Sequence, residues 1–485
     1  MGGISKLIPV SFMTLVAFMV TPAGHTEEPL NVSNRLELFL DGYLIESMNN
    51  VTHQLHHPVP RETALTFDRP WEGRYSGYVT VIEDEGNYRL YYRGLAAAGR
   101  DGSDAEVTCV AESTDGITFT RPKLGLFEAD GNKDNNIVLG AAAPFSHNFA
   151  PFLDSRPDCP AGERYKAMAG TSDTGLYGFV SADGYSWTKT DGPLIEHEGE
   201  AFSFDSQNAA FWSESEKVYV CYFRTWRNGI RWISRRTSSD FRQWGPMEDM
   251  GYGDTQPEHL YTNQTVPYFR APHLYIAFAA RFMPGRRVVS AAQAKVIGSE
   301  GNYAGDCSDT VFMSSRGGNV YDRTFMEGFI RPGVGSNNWT SRTNYPARGI
   351  VQTSDSTMSL YVQRDYGQPT HKLQRLTLRT DGFASLNAGY DGGEFVTKPL
   401  IFEGDRLNIN FSTSAAGSIW VELQTAEGRA IEGFTLEECD EIIGDEIVRT
   451  VTWGDSPNLS GLSRTPVRVR FKMKDADIYS IRFAR

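Results

Sequence analysis

The sequence predicts an all-β protein: a five-bladed β-propeller followed by a C-terminal β-sandwich. Three observations carry this expectation. First, a turn of the form Ser-x-Asp-Gly-x-x-aromatic recurs along the chain. Its copies are STDGITF from Ser113, SADGYSW from Ser181, SSDFRQW from Ser238, a degenerate SSRGGNVYDRTF from Ser314 and RTDGF from Arg379, spaced by 68, 57, 76 and 65 residues. Second, each turn follows three short runs rich in β-branched and aromatic residues, the composition of strands. Four-stranded units at this period are propeller blades, and none could bury both faces of its own sheet, so they must pack around an axis. Third, beyond Ala388 short alternating strands continue between Gly, Asp and Asn turns with no further copy of the blade turn, which reads as a sandwich over residues 389–485.

Taken in order, residues 1–23 have the layout of a secretory leader. Lys6 supplies the charge, Leu7 to Val20 the apolar run, and Thr21-Pro22-Ala23 the small residues of a cleavage site, so a secreted or periplasmic protein is expected. Residues 24–388 are assigned to the propeller, with LELFLDGYLIES from Leu36 expected to close the ring by joining the last blade. Each blade then reads as strands A, B, C and D from the axis outward, blade 1 for example as GYVTVIED, YRLYYRG and VTCVAES. A net charge of -13 argues against nucleic acid or an anionic membrane as the main partner. Cys109 and Cys221 lie in strands as buried core residues and Cys159, Cys307 and Cys439 in loop-like sequence, so the five allow at most one or two disulfides and leave an odd thiol. No Cys or His spacing resembles a zinc site, and neither a metal nor a cofactor is expected.

Strand direction assigns the functional face. Strand A starts at one end of the disc, B returns to it and C leaves it again. The Ser-x-Asp-Gly turns therefore lie at the opposite end, where their Ser and Asp satisfy turn backbone groups. Four B strands end in arginine: Arg93, Arg224, Arg281 and Arg364, with Arg270, Arg342 and Arg348 near the A strands of blades 4 and 5. Guanidinium groups converging on one face suit carboxylate or sulfate, and predict a positive cavity in an acidic protein. The segments leading into A strands add His147 and Asn148, then Asp205, Gln207 and Asn208, then Glu258, His259, Tyr261 and Asn263. Asp205 and Glu258, on adjacent blades, are expected to face one cavity as a glycosidase carboxylate pair. Glu258 would be the acid and Asp205 the base or nucleophile, with Asp309 and Glu327 in reserve and Trp339 or Tyr261 stacking on sugar.

A five-bladed propeller followed by a sandwich resembles glycoside hydrolase family 32, and the Ser-x-Asp-Gly-x-x-Trp turns are similar to those of families 43 and 32. FLDGYLIES, TVIEDEGNYRLYYRG, EHLYTNQT and DADIYSIRF are similar to a broad group of secreted bacterial glycosyl-hydrolase-like proteins. The resemblance implies a glycan-active propeller, but it does not carry catalytic residues. The family 32 Trp-Met-Asn-Asp-Pro-Asn-Gly motif has no match, and blades 1 and 2 begin with Tyr75-Ser76-Gly77-Tyr78 and His147-Asn148, where those families keep acidic residues. Sialidases share an arginine cluster but have six blades and a different turn. The expected function is a secreted glycoside hydrolase acting on an acidic or sulfated oligo- or polysaccharide. The alternative is a non-catalytic carbohydrate-binding propeller, with a scaffold role for the sandwich as a third reading.

Overall fold

The structure is a computed structural model that describes residues 28–199, 202–299, 301–454 and 456–485. The expected leader lies outside the described residues. Five antiparallel sheets form the blades. Blade 1 comprises Gly77–Asp84, Asn87–Gly94, Val107–Ser113 and Ile137–Leu139. Blade 2 comprises Ala150–Leu153, Tyr165–Thr171, Gly175–Ser181 and Thr188–Lys189, and blade 3 Ala209–Ser213, Val218–Arg227, Ile230–Ser238 and Glu248–Asp249. In blade 4 the innermost strand is split into Leu260–Thr262 and Val266–Tyr268, both paired with Ala271–Met283, followed by Cys307–Ser315 and Gly328–Ile330. The innermost strands of blades 1 and 2, 2 and 3, 3 and 4, and 5 and 1 touch one another around the axis.

Ring closure differs from the sequence expectation. The outer strand of blade 5 is Val59–Thr66, paired antiparallel with Lys372–Arg379, outside Val351–Ser354 and Thr357–Arg364. LELFLDGYLIES joins the C-terminal sheet instead, where Leu36–Leu38 pairs with Val467–Ala484 and Ile45–Asn49 with Gly393–Thr397. Its leucines are nearly all buried against apolar neighbours, and the charged Val59–Thr66 (VPRETALT) suits an outer strand with one wet face. In the sandwich two long strands, Arg406–Thr425 and Val467–Ala484, pair along their length over a core that includes Phe395, Phe402, Phe411, Phe471 and Phe483.

The turns carry the structural role expected of them. Ser113 Oγ donates to Asp115 Oδ1 at 2.7 Å, and Asp115 Oδ1 accepts from the backbone of Ile117 and Thr118 at 2.8 and 3.3 Å. The same pattern recurs at Ser181/Asp183 and Ser238/Asp240. In the fifth copy Asp381 is fully buried and fastens the propeller to the sandwich: it accepts from Tyr268 Oη at 2.7 Å, Asn410 Nδ2 at 3.2 Å and Ser480 Oγ at 3.1 Å, and pairs with Arg270 at 3.3 Å. Arg270 therefore sits at the far end from the functional face. All five cysteines are free, so no disulfide forms between them. Among the described residues no helix is long and apolar enough to cross a membrane. The helix Ala291–Ile297, capped by Ser290 and Gln293, belongs to the long insertion between strands B and C of blade 4.

Candidate functional site

The end of the disc where B strands finish opens into a cavity of about 980 Å³ lined by residues from all five blades. Its wall carries an alternating sequence of charges. Arg93 ends strand B of blade 1 and donates to Glu106 Oε1 at 3.2 Å and Asp101 Oδ1 at 3.4 Å. His147, from the segment before strand A of blade 2, places Nδ1 2.9 Å from Glu106 Oε1 and Nε2 3.1 Å from Asp205 Oδ1. Asp205 is also bound by Arg224, whose guanidinium lies 4.7 Å from the ring centre of Tyr261 on blade 4. Arg342, from the segment before blade 5, lies 5.8 Å from the same ring.

This arrangement sets the protonation states. Burial, the largest influence on His147, favours the neutral ring, but hydrogen bonds to Asp205 and Glu106 override it and push the imidazole up to about 9, with Arg93 opposing. His147 is thus an imidazolium with an N–H on each carboxylate, and the 3.1 Å approach of Arg93 Nη1 to its Nδ1 is a like-charge contact that Glu106 offsets by facing both. Burial would raise Asp205, yet His147 and Arg224 hold it well below the usual carboxylate range. Tyr261 responds in the opposite sense to an ordinary buried phenol. Burial pushes it up, but Arg342 and Arg224 outweigh burial and bring it down to about 8, while Tyr78 on the facing wall is pushed well above its usual range.

Asp101, Glu106 and His147 each offer one ligand atom, all within 4.8 Å of one another, a spacing that could hold a metal ion. Arg93 Nη1 contacts all three, so a guanidinium stands where a cation would sit and the cluster's charge is already met.

Of the residues singled out from sequence, His147, Asp205, Tyr261, Arg93 and Arg342 line the cavity, and Arg224 supports Asp205 from behind. Glu258 does not share the cavity with Asp205. It lines a separate cavity of about 190 Å³, its carboxylate held by Arg281 Nη1 at 2.8 Å and Arg323 Nη2 at 2.6 Å. Asp309 accepts from the other two nitrogens of Arg281, Nε at 2.9 Å and Nη2 at 2.6 Å, so these four residues form one salt cluster in blade 4. Glu327 is exposed, and Trp339 packs into the insertion with Val289, Ala294 and Ala304.

The amides serve the scaffold beneath the cavity. Asn148 Nδ2 donates to Gly170 O and Phe204 O, both at 2.7 Å, and Asn208 Nδ2 reaches Phe204 O at 3.3 Å. Together they pin the loop bearing Asp205, in which Phe202 and Phe204 hold φ of 62° and 65°. Gln207 donates to Tyr78 O at 2.9 Å and accepts from Gln264 at 2.5 Å, while Arg348 lies buried on the axis. Asn263 donates to Tyr222 O at 3.4 Å, and Asn263 Oδ1 accepts from the Thr265 N–H at 3.0 Å; His259 Nδ1 accepts from the Arg231 N–H at 3.3 Å. Arg364 is buried against Asn344 and Gln374. Glu106, Asp101, Tyr345 and Tyr366 were not singled out from sequence. The signal was available: if B ends and C begins at this face, the B–C loops also border it, and residues 95–106 are the B–C loop of blade 1.

The imidazolium has a thermodynamic consequence. The folded-state value of His147, about 9, lies above its ordinary 6.5, so its contribution is fully present below 6.5 and is lost as pH rises towards 9. Stability should therefore fall between about pH 6.5 and 8 in denaturant titrations, and His147→Gln should flatten that slope. Above about 8 the lowered Tyr261 works in the other direction. An unchanged slope in the variant would place the imidazolium assignment in error.

No protein-family model matches the chain, and no curated protein matches it. Among solved structures it is similar to a glycoside hydrolase at 10% identity, with 66% of this chain and 92% of that chain covered and a TM-score of 0.44. It is also similar to an N-acetylgalactosamine deacetylase from F. plautii in complex with blood group B trisaccharide (12% identity, 70% and 96% covered, TM-score 0.44). A third similar structure is a β-1,2-mannobiose phosphorylase from Listeria innocua (12% identity, 68% and 97% covered, TM-score 0.42). These are likenesses of fold, and no functional residue is transferred from them.

Proposed function

We propose that this five-bladed propeller is a glycan-active enzyme that cleaves a saccharide in the 980 Å³ cavity, with Asp205 as ionised base or nucleophile and Tyr261 as proton donor. One observation carries the reading. An ionised carboxylate and a phenol brought down to about 8 stand on one cavity wall and share Arg224. A base must be ionised and an acid still protonated at working pH, and these two groups meet that requirement between neutrality and about 8. Tyr261 takes the acid role expected of Glu258, whose carboxylate is bound by two arginines in a different cavity. The substrate is met outside the cytoplasm, after removal of the leader expected at residues 1–23.

Release of reducing sugar from a panel of neutral, uronic and sulfated oligosaccharides tests this. Turnover should fall above about pH 8 as Tyr261 loses its proton, and Tyr261→Phe should cost about 10²- to 10³-fold and remove that alkaline limb. A Tyr261→Phe enzyme with the wild-type limb would transfer the acid role to another group. The binding-only reading draws on Asp205 being clamped from two sides, by His147 and Arg224. Saccharide binding that persists in Asp205→Asn, with no turnover by the parent, would favour it.

A further inference from the structure

The arginines of the functional face differ in one respect. Arg93 and Arg224 at the cavity, and Arg281 and Arg323 in the separate blade 4 cluster, each face a carboxylate, while Arg231 lies over the rings of Trp226, Tyr261 and Phe282 outside the cavity lining. Arg342 lines the cavity, and no carboxylate among the described residues pairs with it. Its guanidinium is instead held between aromatic rings, 5.1 Å from the centre of Tyr303 and 5.8 Å from that of Tyr261. The backbone fixes it there. Arg342 has a φ of 59°, its carbonyl accepts from Gln363 Nε2 at 2.6 Å, and the preceding Ser341 N–H donates to Tyr303 O at 2.7 Å. Tyr303 belongs to the blade 4 insertion, so the insertion positions this arginine. A second donor stands beside it: Tyr345 lines the same cavity, is 5% exposed, and its hydroxyl has no hydrogen-bond partner.

A half-buried cation without a counter-charge and a buried hydroxyl without a partner are both costly unless something occupies them. Resting on the glycan-active reading, we propose that Arg342 and Tyr345 form the seat for an oxyanion substituent of the sugar, a uronic carboxylate or a sulfate ester. The planar fork of Arg342 matches either group, and the side chain lines the cavity while also hydrogen-bonding Tyr261. This narrows the substrate to saccharides charged at the residue bound beside Tyr261.

Tyr261 supplies a readout separate from turnover. Around its phenol stand Arg224, Arg231 and Arg342, opposed by Asp205, with Tyr78, Tyr303 and Tyr345 as further titratable neighbours. An anion on Arg342 cancels part of the charge that lowers Tyr261, so the phenol should move back up by about one unit. The full-length protein would be titrated by tyrosinate absorbance with inorganic sulfate, with glucuronate, with glucose and with chloride at matched ionic strength. Tyr261→Phe identifies the transition. Sulfate or glucuronate should raise its midpoint while glucose and chloride do not, and whichever of the two acts names the substituent. Arg342→Gln should lose the response, and Arg342→Lys should keep part of it, which separates loss of charge from misfolding. No response to either anion overturns the seat even if the protein hydrolyses a neutral glycan. An Arg342-dependent response without turnover of any glycan supports the seat and removes the catalytic reading instead.

Discussion

Asp205→Asn is expected to lower turnover by about a thousand-fold, the largest functional effect of any single change at this site. The substitution is nearly isosteric, so the cavity keeps its shape and only the charge is lost. That charge does three things at once. It is the ionised group proposed as base or nucleophile, it holds the imidazolium of His147 through Nε2 at 3.1 Å, and it neutralises Arg224. Its removal leaves Arg224, whose Nη1 and Nε already lack partners, acting on Tyr261 with no negative side chain against it and only burial opposing. The phenol should then titrate still lower than about 8, because Asp205 is the group that raises it against the arginines. The variant therefore has two signatures: lost turnover and a downward shift of the Tyr261 midpoint. Wild-type turnover in Asp205→Asn would remove it from the chemistry, and an unmoved tyrosinate midpoint would mean that the two groups do not share a field.

How much of this was legible in the sequence follows from which signals are local. The blade turns are local: Ser113, Asp115 and the two following N–H groups make a complete hydrogen-bonded unit within a few residues, so the motif identifies itself. Strand direction follows from the turns, and it correctly brought Arg93, His147, Asp205 and Tyr261 to one face. What failed depended on side-chain direction within a segment. Glu258, in the segment before the strand, and Tyr261, inside Leu260–Thr262, are only three residues apart, so nothing in their order says which one faces the axis. Tyr261 faces it, and Glu258 turns to Arg281 and Arg323. Ring closure failed for a related reason. LELFLDGYLIES and VPRETALT both read as strands, and only the partner surface decides that the more apolar one belongs in the sandwich core. Asn148, Gln207 and Asn208 looked like sugar ligands because polar residues before an apolar strand are unusual, yet they serve backbone carbonyls.

Arg348→Met should produce the largest loss of stability. The sequence placed Arg348 with the ligand-binding arginines, but it is 3% exposed and lies on the propeller axis below the cavity. Its backbone joins blade 1: the Arg348 N–H donates to Val79 O, and the Arg348 carbonyl accepts from the Val81 N–H, each at 2.8 Å. Its side chain reaches three other blades, donating from Nη1 to Pro151 O at 2.9 Å, from Nη2 to Ala210 O at 2.6 Å and from Nε to Thr265 O at 3.4 Å. As the residue leading into blade 5, it ties all five blades together. Two effects compete when it is replaced. Burial pulls its guanidinium down to about 10, so removing the charge relieves a desolvation cost. Removal also orphans at least two strongly bonded carbonyls in an axis closed by Gln207 and Gln264, at about 1–3 kcal/mol each, together with the coupling between blades. The second effect should win, because methionine fills the volume but donates nothing, and a net loss on the order of 4 kcal/mol is expected in denaturant unfolding. Arg348→Lys should fall between the two, since one ammonium keeps the charge but cannot span carbonyls on opposite sides of the axis. If the methionine variant matched the wild type while lysine did not, the buried charge rather than the carbonyl bonds would dominate, and the axis would be held by strand packing alone.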